Sequence, residues 1–338
     1  MAWSFLLLAA VLLGAGVVLT GAAVIVMAWA LLRPPRMTDG KAAWLLQRLS
    51  PGDLGLAYEE VTFAVRDVRT AEALRIAAWW IPAAAPSDRC VVLLHGYADA
   101  KVGAVAWAPV WHRLGYHILA PDLRAHGESG GRESTGGCFE RHDVDQVISQ
   151  LRAERPAATR HVVLFGASLG AAVAVAAAAL RDDVAAAVLE SPYTDFRSAA
   201  MTHMDLLGLP GHLLQRAALR LAEWLAYAKF DDVDTIQLLR TLRCPVLVIA
   251  AGDDVLLSDD ATRAFEAALA GRPGSALWRV EGATHLLAVH ADVDTYAGRL
   301  QDFLAQALGA SPNAHPAANS AAASNRQAMG VNAAGGAV

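Results

Sequence analysis

From Ala2 to Leu32 the chain carries no charged side chain, and between Phe5 and Leu32 the sole polar one is Thr20. A bilayer core about 30 Å thick requires roughly 20 helical residues, so the run predicts a membrane-spanning helix over residues 5–32. A cleaved secretory signal is the competing reading, and Ala28-Trp29-Ala30 offers it a small-x-small site. Against it stand the lack of Lys or Arg ahead of the run and a length well beyond the ~7–15 residues of a signal's apolar core. Arg33, Arg36, Lys41 and Arg48 follow directly. Positive charge marks the cytoplasmic side of a span, so the expected topology is N-terminus out, with the rest of the chain in the cytoplasm. Arg33-Pro34-Pro35-Arg36 stops the helix, because proline cannot continue it.

The apolar pattern then shortens its period. Val61–Val65 and Leu74–Ile81 read as an opening pair of strands. Six compact apolar runs follow: Cys90–Leu94, Tyr116–Ala120, His161–Phe165, Val184–Leu189, Cys244–Ala251 and Ala276–Val280. Helical stretches over Val102–Leu114, Phe139–Glu154, Ala171–Arg181 and Asp259–Ala270 separate most of them. Strands apolar on both faces, alternating with helices, predict an α/β fold with a mostly parallel sheet covered on both sides. Ser191–Arg243 breaks the rhythm and holds a helical segment near Leu213–Lys229. Ligands of open α/β sheets bind at the carboxyl edge of the strands, so residues 192–243 are expected to form a lid over that edge. The expected layout is an anchor at 5–32, a juxtamembrane linker at 33–52 and one domain at 53–308. A tail at 309–338, rich in Ala, Asn, Ser and Gly, is expected to be disordered.

Composition narrows the function classes. Hydrophobic residues make up 55% and charged residues 18%, which excludes a disordered or collagen-like chain. The net charge of −5, without a basic stripe, argues against nucleic-acid binding. Cys90, Cys138 and Cys244 form no C-x-x-C pair and are odd in number, so neither a disulfide framework nor a cysteine zinc site is expected. No metal or organic cofactor is implied. The oligomeric state is not legible.

Candidate chemistry starts at Gly166-Ala167-Ser168-Leu169-Gly170, a G-x-S-x-G. A second match, Gly127-Glu128-Ser129-Gly130-Gly131, lies upstream. Ser168 follows an apolar strand and opens a helix, as a nucleophile elbow requires; Ser129 is followed by a Gly-rich stretch that cannot start one. A serine needs a base. His285 follows the last strand directly, with His290 ranked second. An imidazole needs a carboxylate to hold its tautomer. The strand Cys244–Ala251 ends in Gly252-Asp253-Asp254, giving Asp254 with Asp253 as its rival and Glu190 as a more distant competitor. Oxyanion donors are expected from the Leu169 amide and from the turn His95-Gly96-Tyr97, with the Tyr97 amide pointing inward.

These residues carry a resemblance. His95-Gly96, Asp122-Leu123-Arg124-Ala125-His126-Gly127-Glu128-Ser129, the Ser168 elbow, Asp254 and His285 together resemble the α/β-hydrolase superfamily over about Tyr58 to Leu308. The Asp122–Ser129 stretch is similar to the family's Asp-x-Arg-Gly-His-Gly-x-Ser loop, which assigns Ser129 a structural role, and Ala125 stands where glycine is usual. The short insertion and the anchor are similar to those of serine-aminopeptidase-like members. The resemblance implies an α/β-hydrolase fold with an N-terminal transmembrane helix. It also implies a membrane-anchored serine hydrolase that cleaves esters or thioesters, with small-molecule or lipid-like acyl groups as substrate. A peptidase or amidase using the same three residues is the alternative, and a non-catalytic membrane-tethered interaction module is a third reading.

Overall fold

The computed structural model describes residues 2–209 and 211–309; the expected tail lies outside the described residues from position 310 on. Eight strands form one sheet in the order β1-β2-β4-β3-β5-β6-β7-β8. They are β1 (Glu59–Arg66), β2 (Ala73–Ile81), β3 (Arg89–Leu94), β4 (His117–Pro121), β5 (His161–Ala167), β6 (Val184–Glu190), β7 (Val246–Ala251) and β8 (Ala276–Val280). β2 runs antiparallel to both β1 and β4, and every pairing from β4 to β8 is parallel. The mostly parallel sheet is the one the alternating pattern predicts, and its arrangement is the one the α/β-hydrolase resemblance implies.

The helices, in chain order, begin with α1 (Ala2–Leu32), α2 (Asp39–Leu46), α3 (Lys101–Ala104), α4 (Ala108–Arg113), α5 (Glu140–Glu154) and α6 (Leu169–Ala178). They continue with α7 (Phe196–Leu206), α8 (His212–Ala226), α9 (Thr235–Thr241), α10 (Asp259–Leu269), α11 (Ala288–Ala291) and α12 (Val293–Leu308). Side chains alternate across the pleat. Cys90, Val92 and Leu94 therefore join a core with α5, α6, α9 and α10, while Val91 and Leu93 join the opposite core with α4 and α12. Two buried faces explain why the central strands read as unbroken apolar runs. α6 is buried along its whole length, because the sheet covers one side and residues of the 192–243 insertion around Phe196, Leu219 and Phe230 pack on Ala172 and Ala176.

Three expectations change. The single helix over Val102–Leu114 is two, α3 and α4, and Pro109 sits in the first turn of α4; its missing N–H is tolerated at a helix start but not in an interior. The 192–243 insertion holds three helices, α7, α8 and α9. The 33–52 linker is structured: it contains α2, and Arg36 donates to the carbonyls of Gly127 (2.6 Å), Ser129 (2.7 Å) and Gly131 (2.9 Å). That guanidinium fastens the segment after α1 onto the Asp122–Ser129 loop.

The same loop carries strain. Ala125 has φ 62°, the left-handed region where a Cβ costs roughly 1 kcal/mol or more. Its amide bonds the Gly130 carbonyl at 2.9 Å, so the conformation is held in place. Ala125→Gly is expected to raise stability by up to about 1 kcal/mol, read as a higher midpoint in denaturant unfolding. A lower midpoint would show that the buried methyl matters more than the backbone.

Candidate active site

Ser168 sits between β5 and α6 with φ 52° and ψ −113°, a sharp turn that a non-glycine residue adopts only under constraint. The constraint is backbone crowding. A Cβ on Gly166 would stand 2.1 Å from the Gly170 carbonyl oxygen, and one on Gly170 would stand 2.1 Å from the Leu94 carbonyl oxygen. Both glycines are therefore required by close approach. The Ser168 amide donates to the Glu190 carbonyl at 3.0 Å, which pins the turn to β6. Ser129 is placed differently. It is buried, its hydroxyl accepts from the Ala77 amide at 2.9 Å, and it donates to the Asp122 carbonyl at 2.7 Å.

At the carboxyl edge of β7 and β8, His285 Nδ1 lies 2.8 Å from Asp254 Oδ2. Asp254 is buried and Asp253 is exposed. The Leu256 amide donates to Asp254 Oδ1 at 2.9 Å. Burial pushes the Asp254 carboxyl up, but the hydrogen bond and charge of His285, aided by the Leu256 amide, hold it below the usual carboxylate range. An ionised Asp254 fixes the proton on Nδ1 and leaves Nε2 with a lone pair. His290 is exposed on α11. Glu190 does not reach the imidazole by a hydrogen bond: its Oε2 accepts from Trp107 Nε1 at 2.8 Å and from Tyr296 Oη at 2.6 Å.

The Gly96-Tyr97 turn closes the third side. A Cβ on Gly96 would lie 3.6 Å from Ser168 Cβ and 3.9 Å from Leu286 Cδ1, so this turn, the serine and the residue after His285 meet at one point. No hydrogen bond joins Ser168 Oγ to His285. His95 is buried beneath the turn. Its Nε2 accepts from the Leu123 amide at 2.9 Å, which leaves Nδ1 to donate to the Gly96 carbonyl at 2.7 Å; burial, with His126 adjacent, keeps this ring neutral. The Leu169 and Tyr97 amides donate to no protein acceptor among the described residues. Among these residues no cluster of three or more His, Cys, Asp or Glu could hold a metal ion.

Two features were missed by sequence reasoning. The Tyr97 hydroxyl lies 3.0 Å from the carbonyls of both Ala30 and Leu31 and shares its one proton between them, so the Gly96-Tyr97 turn is tied to the last turn of α1. Glu190 is the centre of a buried knot between β6, α12 and the start of α4. Burial raises its carboxyl from 4.5 to about 7, against the hydrogen bonds of Tyr296 and Trp107. A folded value above the unfolded one means that folding favours the protonated acid. Its stabilising contribution is full below the unfolded value and is lost as pH rises toward 7. Glu190→Gln is expected to flatten that part of the stability-versus-pH curve, measured by unfolding midpoints across the interval. An unchanged slope would place its origin elsewhere.

The chain's relatives agree with the fold. The family model described as the alpha/beta hydrolase family matches residues 91–298. An uncharacterised protein of Mycobacterium tuberculosis is 30% identical over 188 residues, which cover 55% of this chain and 60% of that protein. The lysophosphatidylserine lipase ABHD12 of Danio rerio is 29% identical over 191 residues, 54% of this chain and 47% of its own. The matched stretch thus spans less than two thirds of either relative. Among solved structures, the Pyrococcus furiosus esterase Pf2001 superposes with a TM-score of 0.65 at 23% identity, covering 81% of this chain and 97% of the esterase, a likeness of fold. With the eight-stranded sheet, the serine elbow and a family match over well more than half its length, the chain belongs to the alpha/beta hydrolase family.

Proposed function

We propose that the chain is a membrane-anchored serine hydrolase that cleaves an acyl ester or thioester with Ser168 as nucleophile, His285 as base and Asp254 as the orienting acid. The observation that carries this reading is the 2.8 Å His285–Asp254 contact beside a strained elbow serine. In the proposed cycle His285 Nε2 takes the Ser168 proton as Oγ attacks the acyl carbon. The Leu169 amide lies at the start of α6, where the first N–H groups of a helix have no intrahelical partner and the dipole favours negative charge. With the Tyr97 amide it receives the oxyanion. His285 then protonates the leaving group, and water repeats the sequence to release the acid. Support for a lipid-like acyl substrate comes from α1, in which an 18-residue window within residues 3–32 has a mean hydropathy of 2.5, and from its contact with the Tyr97 turn.

On a p-nitrophenyl ester, Ser168→Ala is expected to lower kcat by about 10⁶, as for the nucleophile of subtilisin, with Ser129→Ala retaining kcat if the loop stays folded. Asp254→Asn is expected to lose about 10⁴ in kcat, as for the acid of the serine-protease triad, and Asp253→Asn far less. A larger loss at Ser129 or Asp253 would move the assignment to that residue. The proposed topology places the domain in the cytoplasm. A fluorescent protein fused after Leu308 should be bright and an alkaline phosphatase there inactive; the reverse pattern would invert the orientation.

A further inference from the structure

α1 is longer than a bilayer needs, and its two parts differ. Trp3–Ala22 is exposed throughout; these residues measure about 30 Å at 1.5 Å per residue, the thickness of a hydrocarbon core. Met27, Ala28 and Leu32 are buried, with Val24 and Leu31 packed beside them. Their partner is α8, which turns Ala218, Leu219, Ala222 and Ala226 inward; small side chains four apart allow the close approach. The helices run parallel. The Leu32 carbonyl accepts from the Ser134 amide at 2.8 Å, and Cys138 Sγ reaches the Lys229 carbonyl at 3.0 Å, just past the end of α8. Glu140 gathers Ser134, Thr135 and Gly137 into one compact loop. The C-terminal ends of α1 and α8 therefore share that loop, and the start of α8 points back toward Ala23.

The α7–α8 tip thus stands where the exposed part of α1 ends. It presents Leu206, Leu207 and Leu213 to the outside, with Leu213 81% exposed. Below Leu213 on the same face of α8 come Arg216 and Arg220, about 5 and 10 Å down the axis, the depth of a headgroup layer. With Arg197, Met201 and Leu219 they line a groove of about 290 Å³ between α7 and α8. Arg197 is already paired with Glu223 and Asp231. Arg216 and Arg220 form no ion pair among the described residues.

We infer that the α7–α8 hairpin is a second membrane-docking element, with its leucine tip in the acyl region and Arg216 and Arg220 on the phosphates of anionic phospholipid. The inference rests on α1 crossing the bilayer. Its physical basis is continuity with α1, apolar exposure at the depth where α1 enters lipid, and two unpaired cations one to two turns below. Basic residues at an anionic surface each favour binding roughly fivefold. Docking would hold the lid and the Tyr97 turn at the interface from which a lipid-like acyl chain enters.

The test uses the full chain in nanodiscs of phosphatidylcholine with or without phosphatidylglycerol. A fluorophore is placed at Leu213→Cys or, as a control, at Leu12→Cys, in a Cys244→Ser background because Cys90 and Cys138 are buried. The Leu213 probe should be quenched by spin-labelled lipid and shielded from iodide several-fold. Phosphatidylglycerol should strengthen that shielding, and Arg216→Glu with Arg220→Glu should abolish the gain. A Leu213 probe open to iodide while the Leu12 probe is lipid-quenched overturns the docking and leaves the anchor standing. A Leu12 probe that lipid cannot quench overturns both. Shielding indifferent to phosphatidylglycerol overturns the headgroup assignment.

Discussion

Backbone crowding at the end of β5 is the constraint on which the candidate site depends. α6 begins so close to β3 that Gly170 faces the Leu94 carbonyl with no room for a side chain, and Gly166 faces Gly170 in the same way. The chain must therefore turn within one residue, and that residue is Ser168 at φ 52°. The turn lifts the hydroxyl off the sheet edge and leaves the first amide of α6 uncommitted beside it. Cores on both sheet faces, with α6 buried throughout, hold the strain in place. Ala98, Ser191 and Leu286 also take positive φ in the turns around the same edge, which fits the tendency of backbone strain to gather at functional sites.

Much of this was legible because the physics is local. Cys90–Leu94 reads as a buried strand since both its faces meet apolar cores, and the elbow reads as one since strand, small residues and helix are contiguous. Asp254 and His285 each follow a strand, so topology alone places them at one edge. The rest depended on contacts distant in sequence. Nothing near Glu190 announces that Tyr296 and Trp107 will occupy its carboxylate, and nothing near Tyr97 announces a hydroxyl bonded to Ala30 and Leu31. The 192–243 insertion shows the same limit: α7 and α9 are short, and they become helices through caps at Asp195 and Asp234 together with packing on α6. The helix expected across Val102–Leu114 failed for a local reason that was present in the sequence, Pro109.

The apolar helix is part of the folded unit as well as a candidate anchor. Its last two turns meet the 192–243 insertion through Met27, Ala28 and Leu32 and the Gly96-Tyr97 turn through two carbonyls, and the segment just after it meets the Asp122–Ser129 loop through Arg36. Three segments around the candidate site thus rest on one helix end. The reading of this chain as an enzyme acting at a membrane rests as much on that convergence as on the length of the helix.

The central claim is that Ser168 is a nucleophile activated in this geometry. Reacting the membrane-embedded full chain with a fluorophosphonate and mapping the adduct by peptide mass spectrometry tests it most directly. The account predicts a single adduct on the peptide bearing Ser168, lost when His285 is replaced by Ala. An adduct on Ser129, or a folded protein that takes up no label, would contradict it.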